Sequence, residues 1–102
     1  MARKKTNPHS AAEWLAGIAE PTRLTILKVL ASGTRTVTEL AKACGTEIVN
    51  ISHHVNVMKN LGLLTAEREG RFMRYSLVGA TATATLLELT HESGVKVTLP
   101  LN

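Results

Sequence analysis

The sequence predicts a mostly α-helical domain that carries a single β-hairpin. Three observations support it: apolar residues recur at helical spacing from residue 11 to residue 61, glycines follow the helical segments, and the pattern then alternates around a glycine turn. A chain of 102 residues, 44% of them hydrophobic and 20% charged, has an ordinary globular composition and room for one core. We therefore expect one folded domain.

The first two helices are predicted from the residues at their starts. Ser10 and Glu13 have the spacing of a capping box, and Pro21 is tolerated in the first turn of a helix. The apolar side of the first helix is formed by Ala11, Trp14, Leu15 and Ile18. The second helix runs to Ser32-Gly33, with apolar residues at Leu24, Leu27, Val29 and Leu30.

A third and a fourth helix follow, separated by a short break. Thr36 and Glu39 form another capping box, and Gly45 ends the third helix. The fourth helix is predicted over residues 48–61. Its inward side is expected to be Ile48, Ile51, Val55 and Met58. Its outward side is expected to be Val49, His53, Asn56, Val57 and Asn60, with Asn50 and Ser52 on the flanks.

Residues 64–92 are predicted to hold the hairpin and a fifth helix. Two alternating segments around Glu69-Gly70 predict the hairpin. Residues 79–92 carry two apolar stripes, so we expect a helix that packs on the domain with one stripe and on a second copy with the other. The domain is accordingly placed at residues 10–93, and the tail, 94–102, alternates in a way that suits a short strand.

Charge and composition restrict the function classes. Twelve lysines and arginines against eight acids leave a net charge of +4, which favours a polyanionic partner. Residues 1–9, with Arg3, Lys4 and Lys5, are expected to form a flexible basic arm. Aromatic residues make up only 3%, too few for a platform that stacks single-stranded nucleic acid, whereas double-stranded DNA remains open.

The single cysteine and the hydropathy pattern indicate the compartment. One cysteine, Cys44, excludes an internal disulfide framework and suits a reducing environment. The uncharged stretch over residues 76–87 is too short to span a bilayer, and the N-terminal cations are not followed by an apolar signal core. We therefore expect a cytoplasmic protein with no membrane partner.

The order of elements predicts a winged helix-turn-helix. A helix, a sharp turn, a second helix and a basic hairpin have this organisation, and the second helix of the pair enters the DNA major groove. Spacing supports the assignment independently. Ala41 is small enough for the helices to cross closely, Gly45 suits a positive φ at the turn, and Ile51 plugs the core between them.

Residues 19–77 strongly resemble the ArsR/SmtB family of bacterial winged-helix repressors. The motifs that carry the resemblance are Ala19-Glu20-Pro21-Thr22-Arg23-Leu24, Ile26-Leu27, Thr38-Glu39-Leu40-Ala41, Ile51-Ser52-His53-His54-Val55, Leu61-Gly62-Leu63-Leu64 and Arg68-Glu69-Gly70-Arg71. The resemblance implies a transcriptional repressor that binds a near-palindromic operator. It also implies a homodimer built on the first and last helices.

The resemblance also implies metal-site positions, and this chain lacks suitable ligands at them. The thiolate motif on the third helix would fall around Thr36 and Thr38, neither of which is a cysteine. The last-helix site would fall near Gly79, Thr81, Glu92 and Val95. Only Glu92 is a ligand, whereas a zinc site usually needs four, so no metal or other cofactor is predicted and the effector is left unknown.

The candidate DNA contacts lie on the fourth helix and on the hairpin. Asparagine, serine and histidine side chains hydrogen-bond base edges or phosphates, valine touches a thymine methyl group, and arginine suits the minor groove and phosphates. The alternative for each position is an ordinary solvated surface. The candidates are Val49, Asn50, Ser52, His53, Asn56, Lys59, Arg68, Arg71 and Arg74.

Other reactive side chains have simpler explanations. His54 is expected to be packed or bonded to backbone, and Cys44 to be a buried small hydrophobe. No nucleophile and base have catalytic spacing, so the protein is not expected to be an enzyme. Two alternatives remain open: a winged-helix module that binds protein partners, and a repressor switched by a metal or thiol site of an unusual kind.

Overall fold

The computed structural model describes residues 9–102, so the predicted basic arm lies outside the described residues except for His9. The described residues form four helices and six strands. The helices are α1 (Ala11–Ile18), α2 (Pro21–Leu30), α3 (Val37–Cys44) and α4 (Ile48–Asn60). The strands are β1 (Arg35–Thr36), β2 (Leu64–Glu69), β3 (Phe72–Leu77), β4 (Ala80–Ala82), β5 (Leu86–Thr90) and β6 (Lys96–Pro100).

Both predicted capping boxes are confirmed. The Ser10 hydroxyl accepts the Glu13 amide and the Glu13 carboxylate accepts the Ser10 amide, at 3.1 and 3.0 Å. The same pair of bonds joins Thr36 and Glu39 at the start of α3. Gly45 ends α3 with φ of +66°, a left-handed conformation that costs glycine little, and the chain turns there into α4.

The four helices enclose one hydrophobic core. Its helical part contains Trp14, Ile18, Ile26, Leu27, Leu30, Leu40, Ala41, Ile51, Val55 and Met58. The predicted inward side of α4 is confirmed for all its members except Ile48, which is 50% exposed. That prediction was wrong because Ile48 is the first residue of α4, where no preceding turn of helix covers it.

The predicted hairpin is confirmed and belongs to a three-stranded sheet of order β1-β3-β2. Strands β2 and β3 pair in an antiparallel register that ends with Glu69 opposite Phe72. Gly70, with φ of +63°, and Arg71 form the two-residue turn between them. The short strand β1 was not predicted. It pairs with Arg74 and Tyr75 of β3 and so ties the wing to the residues that precede α3.

The predicted fifth helix is wrong, because residues 79–92 form β4, β5 and the turn between them. Burial along this segment has period two: Leu87, Leu89 and His91 are buried, whereas Leu86 and Thr90 are exposed. Alternating threonines favour strand over helix, since their branched side chains lose rotamer freedom in a helix. Without that helix, the predicted dimer of first and last helices lacks one of its two elements.

The predicted strand in the tail is confirmed as β6. It pairs with β5, which makes a second antiparallel sheet of order β4-β5-β6. The inner side of this sheet packs on the helical core through Leu87 and Leu89. His91 lies against α1, with its ring centroid 5.3 Å from that of Trp14, and its Nε2 is 2.8 Å from the His9 carbonyl oxygen.

A pair of leucine substitutions distinguishes the sheet from a helix. In the sheet, Leu89→Ala removes a fully buried side chain and should lower the free energy of unfolding by about 2–5 kcal/mol. Leu86→Ala, on the opposite side of β5 and 41% exposed, should change it by less than about 1 kcal/mol. In a helix over residues 79–92 the two leucines would share one stripe, so equal losses in urea unfolding would contradict the sheet.

Candidate DNA-binding surface

Helix α4 presents a continuous exposed side to solvent. The predicted contacts Val49, Asn50, Ser52, His53, Asn56 and Lys59 are all exposed. Val49 is the extreme case at 78%. The opposite side of the helix is held in the core by Ile51, Val55 and Met58, which are almost completely buried. Because the inner side is fixed in this way, the outer side stays available for a ligand along the length of the helix.

The start of α4 is organised by the turn that precedes it. The Asn50 side-chain nitrogen donates to the Thr46 hydroxyl over 3.1 Å, so the amide is oriented by the turn residues. Glu47 occupies the N-cap position without a side-chain bond to the helix backbone. One side chain from the predicted set is therefore held in place before any ligand arrives.

Two of the three predicted wing arginines are exposed. Arg71 occupies the turn between β2 and β3, at the tip of the wing. Arg68 is also exposed, and its guanidinium donates to the Gly70 carbonyl over 3.3 Å within the same turn. These two cations extend from the tip of the hairpin, where a phosphate or a groove floor can be reached.

Arg74 is half-buried, and side chains beside the wing engage it. Its Nε donates to the Glu69 carboxylate, its Nη1 donates to the Thr34 hydroxyl over 3.1 Å, and Glu39 lies 3.8 Å away. The hydrogen bond to Glu69 is the main cause that raises the pKa of the Arg74 guanidinium. The pKa of Glu39 is lowered, chiefly by its bond from the Thr36 amide and secondarily by Arg74. Arg74 thus links the wing to the start of α3.

The sequence reasoning missed a polar cluster beneath α4. His54 is buried at 7% exposure, as expected, but its partner is the Arg23 side chain rather than backbone. Arg23 also donates to the Gly17 carbonyl at the end of α1. The signal was present in the motif Glu20-Pro21-Thr22-Arg23, which carried the family resemblance without being given a role.

The remaining candidate sites are plain. Cys44 is half-buried on α3, and burial raises the pKa of its thiol. Within residues 9–102, no group of three or more histidine, cysteine, aspartate or glutamate side chains is placed to hold a metal ion. Among the helices in that same range, none is both long and apolar enough to cross a membrane.

A helix with a buried inner side and an exposed polar outer side, entered through a tight turn and followed by a basic hairpin, defines a winged helix-turn-helix DNA-binding domain. Comparison with known families agrees. The model of a family described as "Bacterial regulatory protein, arsR family" matches residues 20–66. This range contains α2, α3, α4 and the beginning of the wing.

Individual relatives extend the match. The chain is 40% identical over 82 residues to the HTH-type transcriptional regulator NmtR of Mycobacterium tuberculosis, which covers 80% of this chain and 68% of that protein. It is 33% identical over 84 residues to the "Probable mercury resistance operon repressor" of Streptomyces lividans. This match covers 82% of this chain and 66% of that protein. The chain thus spans about two thirds of the length of each.

A solved structure shares the fold over about two thirds of this chain. The homodimeric winged helix-turn-helix DNA-binding domain from Mycobacterium bovis superposes with a TM-score of 0.64 at 35% identity, over 67% of this chain and 63% of that one. The chain belongs to the arsR family of bacterial regulatory proteins. The family and these relatives are DNA-binding regulators of transcription and not enzymes.

The role of Arg74 as an anchor is testable by amide hydrogen exchange. Arg74→Ala should accelerate exchange several-fold in β1 and in β3, because it removes the bonds that join Glu69 to Thr34. Arg68→Ala, whose guanidinium bonds only to Gly70, is the matched control and should leave β1 unchanged. Equal exchange in β1 for both variants would show that the wing is held by strand pairing alone.

Proposed function

We propose that this protein is a homodimeric transcriptional repressor that reads a near-palindromic operator. Helix α4 enters the major groove, the wing grips the flanking minor groove, and the two-fold axis sets half-sites about one helical turn apart. The observation that carries the proposal is the exposed outer side of α4, which a buried stripe fixes from behind.

Base reading falls to the first half of α4. Asparagine pairs with the adenine edge through two hydrogen bonds, and an exposed valine suits the thymine methyl group. Asn50 and Val49 supply these groups at the N-terminal end of the helix, which is the end that helix-turn-helix proteins direct to base edges. Ser52, His53 and Asn56 continue the same exposed surface towards the C-terminal end of the helix.

Phosphate contacts fall to the exposed cations. Lys59 lies near the C-terminal end of α4, and Arg68 and Arg71 lie at the wing tip. Their separation along the molecule suits contacts to different points of the duplex backbone, with Arg71 directed into the minor groove. Arg74 supports this interface indirectly, because it fixes the wing that carries Arg68 and Arg71.

The dimer is proposed from the homodimeric relative and from the outer side of α1. Leu15 is 38% exposed there, and the alanines at positions 12, 16 and 19 are exposed as well. A helix side of small apolar residues allows the close approach of a second helix. The repressor would act without the family's common metal sites, because threonines occupy positions 36 and 38.

The proposal is tested with purified protein and the DNA upstream of its own gene. Fluorescence anisotropy at physiological salt should show tighter binding to this duplex than to a scrambled one, by about 10³-fold or more. Cross-linking or sedimentation should show two chains per duplex. Equal, weak binding across a tiled set of genomic duplexes would overturn the proposal and leave the protein-interaction module as the better explanation.

Substitutions on α4 test base reading. Asn50→Ala and His53→Ala should each lower the preference for operator over scrambled DNA by about 1–3 kcal/mol in binding free energy, because each removes a base-directed hydrogen bond. Asn60→Ala, also exposed on α4 but at its far end, is the control and should retain the preference. If operator and scrambled DNA weaken by the same factor, these side chains contact phosphate rather than bases.

The wing is tested through the salt dependence of binding. Arg71→Ala should weaken binding to every sequence and reduce the slope of log affinity against log salt by about 0.9, the loss of one phosphate contact. Lys28→Ala removes one exposed charge beside the C-terminal sheet and should leave the slope unchanged. An unaltered slope for Arg71→Ala would remove the wing tip from the interface.

A further inference from the structure

Arg23 joins three helices at a point beneath the DNA-reading surface. Its Nε donates to the Gly17 carbonyl of α1 over 2.6 Å, and its Nη1 lies 3.2 Å from Nδ1 of His54 on α4. The Glu20 carboxylate, which caps α2, accepts the Arg23 amide over 2.8 Å. We call these four residues the Arg23 clamp.

The chemistry of arginine determines the direction of the bond to His54. A guanidinium has donors and no acceptor, so the His54 Nδ1 must accept and its ring hydrogen lies on Nε2. The Glu20 carboxylate lies 3.8 Å from the same Nδ1. The ring is therefore held in one tautomer by a donor whose position is fixed from two other helices.

The clamp is the directional part of the contact between α4 and the helices behind it. Apolar side chains such as Ile51 and Val55 resist separation of the helices but tolerate small rotations, whereas a hydrogen bond weakens steeply with misalignment. Rotating a helix by about 20° moves an atom at the Cα radius by about 0.8 Å. Side-chain ends on the outer surface move farther, which is enough to misplace a base-directed hydrogen bond.

We propose that Arg23 and His54 are positioning residues for DNA reading, which set the rotation of α4 about its axis. His54 is adjacent in sequence to His53, and their ring centroids are 5.6 Å apart in an edge-to-face arrangement. A buried ring held by the clamp thus lies directly against an exposed ring on the reading surface. This inference rests on the proposed function, since it assigns residues that orient the same DNA-reading surface of α4.

The test compares substitutions at His54 and Arg23 that differ in the hydrogen bonds they can make. His54→Leu introduces an apolar side chain of similar size without an acceptor, whereas His54→Asn places an amide oxygen near the position of Nδ1. Arg23→Lys keeps the charge but replaces the planar fork by a single donor head. Arg35→Lys is the matched control, because among the described residues the Arg35 guanidinium donates to Ser32 and Thr34, which lie outside the clamp.

The readout is the ratio of affinities for operator and scrambled DNA, measured by anisotropy beside urea unfolding. An unfolded fraction lowers both affinities equally, so a destabilised variant still reports the ratio. His54→Leu and Arg23→Lys should lower it by about tenfold or more, the scale of one hydrogen bond to a charged group. His54→Asn and Arg35→Lys should stay within about threefold of the unaltered protein.

A double variant tests whether the two residues act through one contact. Arg23→Lys combined with His54→Leu should lower the ratio no further than the more severe single substitution does. Multiplied effects would show independent roles and overturn the clamp. Equal losses for His54→Asn and His54→Leu would overturn it too, because the acceptor would then be irrelevant.

The two hypotheses fail in different ways. If the unaltered protein shows no operator preference, the proposed function fails, and the clamp fails with it. If the unaltered protein shows the preference and Arg23→Lys and His54→Leu both retain it, only the inference about positioning is wrong.

Discussion

Burial of the inner side of α4 is the constraint on which the rest of the structure depends. Ile51, Val55 and Met58 fill the space between the other helices and determine, to within small rotations of α4, which residues face outward. The turn at Gly45 sets where this helix begins, because a left-handed residue there lets α3 end and α4 start at once. Function therefore follows from packing: a polar surface is exposed because an apolar one is buried behind it.

Hydrogen bonds of two arginines fix the relative positions of elements that apolar packing does not determine. Arg74 fixes the wing relative to α3 through Glu69 and Thr34, and Arg23 fixes α4 relative to α1 through His54. Both arginines are half-buried, and each bonds to more than one partner. The exposed arginine at the wing tip, Arg71, lies in a turn whose position depends on the first of these anchors. Some arginines thus anchor the fold, whereas others are left to contact DNA. This arrangement allows a small domain to hold its exposed charges in fixed positions.

The sequence was sufficient to predict the helices and strands where local signals were strong. Capping boxes and helix-ending glycines predicted four helices, and alternation around Gly70 predicted the wing. The helix prediction for residues 79–92 failed because the leucines and alanines there fit both the helical and the strand period. Pairing with β6, which is more distant in sequence, determines that the segment forms strands. The outer side of α4 was predictable from period alone except at Val57, which is half-buried. The Arg23 clamp was not, because residues 31 positions apart meet only when three helices pack.

The C-terminal sheet narrows how two copies can meet in the proposed dimer. Bonds from His91 to Val95 and from Leu101 to Thr85 direct alternate residues of β6 towards β5, so Lys96, Thr98 and Pro100 turn their backbone outward. Proline has no amide hydrogen to donate, and lysine on an edge strand opposes pairing with another sheet. The outer edge of β6 is therefore a poor place for a second copy. Trp14 seals one side of α1 against His91, and the exposed side around Leu15 is left as the surface that suits a two-fold contact.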